Sequence, residues 1–287
     1  MPKVIAGAIV PELSRYEIAP DRSSILGSGG MGVVLKAHDL LYDRDVAIKT
    51  INPTFVIPEA RTLFFREAAA HARLSIKYED KIVAVRNYGI EDTMPFMELE
   101  LLHGGSLRQR IHSVTSASRS RGPVFDEVTV RTICVQVAEC LRVLHDHKAY
   151  HRDLKPENIL FSEASDWALK IADLGIAHIA ESGLLTKAGV NTFAGGTKDY
   201  TPLDVHYGRA KADATTDIYS LGVILCELLT RKPLSWPEAD KATVVARTDL
   251  SKPAKDVITR ACKLLGSRNY GTVDQFIDGL NSAGPLL

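Results

Sequence analysis

Tyr150-His151-Arg152-Asp153-Leu154-Lys155-Pro156-Glu157-Asn158-Ile159-Leu160, followed ten residues on by Lys170-Ile171-Ala172-Asp173-Leu174-Gly175, sets two aspartates and an asparagine between short apolar runs. A segment rich in Asp and Asn is ordinarily a turn and nothing more. Either motif alone supports only that reading. Together, in this order, they supply a carboxylate, Asp153, able to orient an attacking hydroxyl, and two oxygen donors, Asn158 and Asp173, able to hold a hard divalent cation on phosphate.

Working outward toward the N-terminus, Gly27-Ser28-Gly29-Gly30-Met31-Gly32-Val33-Val34 is a glycine-rich turn. Its missing side chains let backbone N–H groups approach phosphate oxygens closely. The same spacing occurs in dinucleotide-binding folds, where it runs into a helix, whereas here Val33-Val34-Leu35 continues as strand. A second strand carries Val46-Ala47-Ile48-Lys49. Its alternation buries Ala47 and turns Lys49 toward the nucleotide cleft, where a cation can hold the α- and β-phosphates once an acid fixes it. Glu67, in Phe65-Arg66-Glu67-Ala68 on the helix that follows, is the natural acid; the alternative is a surface ion pair worth under about 1 kcal/mol.

The rest of the chain bounds the answer. Its 287 residues, 45% hydrophobic and 24% charged, can bury a core, and 35 Lys+Arg against 35 Asp+Glu give none of the basic excess of a nucleic-acid binder. Pro11 and Glu12 interrupt the apolar opening before it reaches signal-peptide length, and the most apolar stretch, Ile218 to Leu229, is far short of the roughly 20 residues that cross a bilayer. Cys134, Cys140, Cys226 and Cys262 stand singly among apolar helical positions, which suits buried thiols in a reduced compartment. We therefore expect a cytoplasmic protein with neither nucleic acid nor membrane as partner; its oligomeric state is not legible.

Organisation changes once along the chain. Short β-branched runs such as Val46-Ala47-Ile48 and Ile82-Val83-Ala84-Val85, with one helical stretch near Leu63 to Leu74, describe a small sheet carrying a helix. After Gly104-Gly105, Val130, Ile133, Cys134, Val137, Ala138, Leu141 and Leu144 recur at helical spacing behind an Asp126 N-cap, and the second half is mainly helical. His112 to Pro123, rich in Ser and Arg, reads as a mobile loop. The expected class is α+β, with an N-terminal extension over 1–15, a β-rich lobe over 16–102 and a helical lobe over 103–287.

These segments resemble the catalytic and magnesium loops of eukaryotic-like protein kinases, and the likeness runs from about Tyr16 to about Leu280. Gly29-Gly30-Met31-Gly32, Ala37-His38-Asp39 and Arg44-Asp45-Val46-Ala47-Ile48-Lys49 are similar to the bacterial branch of the Ser/Thr enzymes. The resemblance implies a two-lobed protein kinase fold and transfer of the γ-phosphate of ATP, with Mg2+ or Mn2+, to Ser/Thr hydroxyls of proteins in bacterial signalling. On that basis Asp153 is the catalytic base and Lys155 the γ-phosphate contact. Asn158 and Asp173 are the metal ligands, and Lys49 and Glu67 the ion pair of the active state. Gly27, Ser28, Gly29, Gly30 and Gly32 line the phosphates. Val34, Ala47 and Leu160 enclose adenine, Glu100 and Leu102 offer it hinge backbone, Leu99 is gatekeeper, and Asp217 anchors the catalytic loop.

The sequence departs from the family at several places. Leu174 replaces the usual Phe, and His71 stands where an apolar residue is usual and is expected to be a satisfied core histidine. Leu203-Asp204 replaces Pro-Glu, which weakens the usual Glu anchor, and Asp204 is expected to pair with Arg268 in its place. Only about twenty residues lead from the central helix to Ser251, which shortens a region often used to dock partners. Activation by phosphate at Thr192 or Thr186, less so Ser182, is expected to order the loop around Arg152 with help from His178. The rival readings are a nucleotide-binding scaffold without turnover and a small-molecule kinase.

Overall fold

Residues 3–5, 8–10, 13–29, 32–52, 58–91, 93–117, 124–174, 197–234, 244, 246–247, 250–264 and 268–287 are described in this computed structural model. They form two compact units whose boundary falls between Leu101 and Leu102.

In the first unit β1 (Lys3–Ile5) and β2 (Ala8–Val10) pair as an antiparallel hairpin. β3 (Tyr16–Glu17), β4 (Ile25–Gly29), β5 (Gly32–Asp39), β6 (Arg44–Ile51), β7 (Val85–Glu91) and β8 (Met94–Glu100) make one antiparallel sheet in the order β3-β5-β6-β8-β7, with β4 also paired to β5. Along β5 the two-residue period buries Val33, Leu35, Ala37 and Asp39. Leu13, Tyr16, Ala37, Val46, Ile48, Met94 and Phe96 pack into one cluster. Two carboxylates, Asp39 and Glu98, are fully buried beside it. Arg15 grips Asp39 with two bonds, at 2.9 and 2.6 Å, and Arg44 and Tyr16 donate to Glu98 at 2.6 and 2.8 Å. Those bonds offset the cost of taking the carboxylates out of water.

Helix α1 (Pro58–Lys77) begins earlier than its apolar periodicity suggested, with proline as its first residue, where a missing N–H leaves no bond unmade. The run Ile82-Val83-Ala84-Val85, expected as strand, enters β7 only at Val85. The preceding residues belong to the turn out of α1: Ile82 N donates to Tyr78 O, and the Val83 carbonyl accepts from the α1 side chain of His71.

The second unit holds α2 (Leu107–Ala117), α3 (Glu127–Asp146), the hairpin of β9 (Ile159–Phe161) and β10 (Leu169–Ile171), α4 (Leu203–His206), α5 (Ala214–Thr230), α6 (Lys252–Ala261) and α7 (Val273–Ser282). The loop expected from His112 is helical as far as Ala117. Leu107 and Ile111 bury one face, and Ser113 and Thr115 return their hydroxyls to the carbonyls of Arg110 and Ile111. Asp126 caps α3 through Thr129 N, as expected. Every residue of α5 from Thr216 to Thr230 is buried, the mark of a central helix enclosed on all sides. All four cysteines are buried and none is in a disulfide, and burial pushes the Cys134 thiol up to about 12, so they are core residues. No helix among the described residues is long and apolar enough to cross a membrane.

Candidate active site

In the first unit β4 and β5 form the glycine hairpin, with Gly27 opposite Val34, Ser28 opposite Val33 and Gly29 opposite Gly32. A Cβ on Gly32 would lie 2.2 Å from the Thr50 carbonyl oxygen, so this close approach of β5 to β6 requires glycine. Gly30 lies outside the described residues. Ala47 is buried on β6 opposite Leu99 of β8, itself buried. Lys49 stands opposite Val34 and Met97, and its Nζ donates to Glu67 Oε1 of α1 at 2.6 Å. Side-chain exposures of 20% and 10% rule out the loose surface pair. One helical turn on, His71 is 1% exposed and its Nε2 meets the Val83 carbonyl at 2.9 Å, which bears out the core-histidine expectation. Glu100 is tied twice to Ala84, donating its N–H to that carbonyl and accepting its N–H at Oε1.

In the second unit one buried carboxylate organises the loop that carries Asp153. Asp217 of α5 accepts the N–H of His151 at 2.9 Å and of Arg152 at 2.8 Å, and His145 Nε2 of α3 at 2.8 Å. The loop needs this hold because Arg152 adopts a left-handed φ of 65°. His151 Nε2 donates to the Ala172 carbonyl, while Ala172 N donates to the Asn158 carbonyl. The segment entering Asp173 is thereby fixed to the loop from both sides. Leu102 and Leu160 are half-buried, and Leu160 pairs with Lys170 in the β9–β10 hairpin.

Around Asp153 the polar groups converge. Lys155 Nζ donates to Asp153 Oδ2 at 2.6 Å and to Thr197 Oγ1 at 2.9 Å, and Thr197 gives both its N–H and its hydroxyl to Asp153 Oδ1, at 2.8 and 2.9 Å. Asn158 Nδ2 donates to the Asp153 carbonyl, which occupies the amide nitrogen and leaves the amide oxygen as the donor for a cation. Asn158 and Asp173 thus offer oxygen donors that suit a hard cation held chiefly by substrate phosphates. Thr197 escaped the sequence reading; the only signal was its position in Gly196-Thr197-Lys198. Arg108, Glu157, Tyr200 and Glu227, which form a network beside the loop, and His145 also escaped it.

The expected Asp204–Arg268 pair is not formed. Both residues are exposed, Asp204 Oδ1 accepts its neighbour's Val205 N–H, and the shorter side chain turns back on the start of α4. Thr186, Thr192, Ser182 and His178 lie outside the described residues, as does most of the stretch leading to Ser251.

The chain matches the protein kinase domain family over residues 21–274. It is 34% identical over 225 residues to the probable serine/threonine-protein kinase PknB of Corynebacterium glutamicum, covering 76% of this chain and 32% of that protein. To the serine/threonine-protein kinase PknL of Mycobacterium tuberculosis it is 35% identical over 207 residues, covering 71% of this chain and 47% of the relative. It therefore spans about a third to about a half of the length of these relatives. The fold resembles the crystal structure of the Mycobacterium tuberculosis PknI kinase domain, with a TM-score of 0.67 at 21% identity over 94% of this chain and 96% of that one.

Proposed function

Because the chain belongs to the protein kinase domain family, we propose that it transfers the γ-phosphate of ATP to Ser and Thr hydroxyls of proteins, with Mg2+ as the working cation. The observation that carries this reading is the convergence of Lys155 and Thr197 on Asp153, a carboxylate held by donors at both oxygens. Bound ATP with its cation supplies the phosphoryl group and neutralises the charge that builds on it.

The chain's own residues do the rest. Lys49, fixed by Glu67, presents a cation to the α- and β-phosphates, and the glycine hairpin lends its N–H groups to them. Asn158 and Asp173 hold the cation through oxygen. Asp153 accepts the proton of the incoming hydroxyl, and Lys155 balances charge on the transferring phosphate. A lysine two residues after Asp153 fills space beside that phosphate, which favours a short aliphatic hydroxyl over a phenol.

The test is label transfer from ATP to a protein acceptor and to a panel of small alcohols, followed by phosphoamino-acid analysis. Phosphoserine and phosphothreonine are expected, and predominant phosphotyrosine or labelled alcohols would overturn the assignment. A second reading, a nucleotide-binding scaffold without turnover, draws on the separation of Asp204 and Arg268. Bound nucleotide with no transfer to any acceptor would establish it.

A further inference from the structure

The roles proposed so far leave Arg108 unused, yet its guanidinium joins three separate elements of the second unit. From α2 its Nε donates to Glu157 Oε1 at 2.7 Å, its Nη1 to Glu227 Oε1 at 2.5 Å and its Nη2 to the Tyr200 hydroxyl at 2.5 Å. Tyr200 in turn donates its hydroxyl to Glu227 Oε2 at 2.5 Å, and its carbonyl accepts from Ser220 Oγ at 2.7 Å. Glu157 belongs to the catalytic loop, directly before Asn158. Tyr200 closes the 3-10 turn Lys198–Tyr200, which starts one residue after Thr197, the residue bonded to Asp153 and Lys155.

Glu227 is only 4% exposed and Arg108 28%. Burial alone would push the Arg108 guanidinium down, but its bonds to Glu227 and Glu157 outweigh that and raise it, so it stays charged. Burial, reinforced by the Glu227 carboxylate, pushes the Tyr200 hydroxyl up, so it stays a donor. A guanidinium suits this position because its planar fork serves three acceptors in fixed directions, which the point charge of a lysine cannot do.

We propose that Arg108 is a positioning residue for the protein acceptor: by locking Tyr200 to Glu157 it holds the Thr197–Thr201 segment in register with the loop that carries Asp153. Thr197 fixes one end of that segment on the catalytic carboxylate, and Arg108 with Glu227 fixes the other. The inference rests on the kinase reading above.

The experiment measures initial rates with dephosphorylated casein and with ATP, each varied in turn, for the wild type, Arg108→Ala, Arg108→Lys and the double variant Arg108→Met/Glu227→Gln. Arg108→Ala should raise the KM for casein about tenfold while that for ATP changes less than about twofold, with Arg108→Lys between it and the wild type. Guanidinium chloride at about 10 mM, small enough to enter the vacated space, should restore much of the lost kcat/KM, and the same concentration of sodium chloride should not. The double variant leaves no buried carboxylate stranded, so it should melt with the wild type yet keep the raised KM; it carries the test if Arg108→Ala fails to fold.

An unchanged KM for casein in Arg108→Ala overturns the proposal. So does a double variant whose KM returns to the wild-type value along with its melting temperature, since Arg108 would then only balance charge. A wild-type chain that binds ATP and labels no protein overturns the kinase reading instead.

Discussion

Replacing Asp217 by Asn keeps size and shape and changes one thing, the capacity of two oxygens to accept three N–H groups. The amide retains one acceptor oxygen. In its best orientation that oxygen takes the place of Oδ2 and keeps His151 N and His145 Nε2, which brings the new NH2 against the Arg152 N–H formerly bonded to Oδ1 at 2.8 Å. One charge-assisted bond is lost, about 1.5–3 kcal/mol, and a buried donor is left unpaired, about 1–3 kcal/mol more. The sum is roughly 3–6 kcal/mol, which for a unit of this size lowers the melting temperature by roughly 6 to 24 °C. Arg152 at φ 65° no longer has the bond that holds it there, so the residue before Asp153 relaxes. A displacement of about 1 Å at the catalytic carboxylate costs on the order of a hundredfold in turnover. Thermal unfolding followed by circular dichroism and label transfer below the variant's melting temperature read the two effects separately. An Asp217→Asn protein that melts and turns over with the wild type would refute the reasoning.

Asp153→Asn and Asp173→Asn should each lower turnover by roughly 10²- to 10⁴-fold while leaving the fold intact, and Asp173→Asn should also weaken cation-dependent nucleotide binding measured by calorimetry. A folded variant at the wild-type rate would remove that residue from the mechanism. Gly222→Ala should destabilise by about 1–3 kcal/mol in denaturant titration, because its Cβ would lie 2.6 Å from Ala261 Cβ and 2.9 Å from Cys262 Sγ where α5 meets α6. Arg15→Met removes both guanidinium bonds to the buried Asp39 carboxylate, while Glu98 keeps Arg44 and Tyr16, and should cost about 3–5 kcal/mol. The hydrogen bonds from Arg15 hold the Asp39 carboxyl below its usual range, so the wild type has this stabilisation in full above the unfolded value of about 3.9 and loses it as pH falls through the depressed one. Urea melts against pH should therefore show the variant losing less than the wild type over that acid interval. Phosphatase treatment should lower activity, and Thr186→Ala combined with Thr192→Ala should reproduce the loss; undiminished activity in a preparation carrying phosphate at neither site would refute a phosphorylation switch.

What the sequence made legible follows from how strictly chemistry restricts residue type. The roles proposed for Lys49, Glu67, Asp153, Asn158 and Asp173 admit few residue types, so these residues stood out within short motifs. The core was legible for a similar reason, since Val130 to Leu144 and Ile218 to Leu229 write their burial into apolar spacing. Thr197 and the Arg108 network were not legible, because a hydroxyl in a polar segment looks the same whether it faces water or Asp153 Oδ1. Likewise, Arg108 meets Glu227 across 119 residues of chain. Two of the misreadings have the same root. His112 to Ala117 has a loop's composition, but its hydroxyls bond back to helical carbonyls, and Asp204 has the right place in sequence for Arg268 but is one methylene short of the usual Glu and turns to its own Val205 N–H instead. Sequence spacing reports which groups a turn can carry, whereas the partner each group takes is decided by competition between local backbone donors and distant side chains. At Asp204 the local donor wins; at Asp217, buried at the centre of the second unit, only the distant ones are offered, and that is why the catalytic loop depends on it.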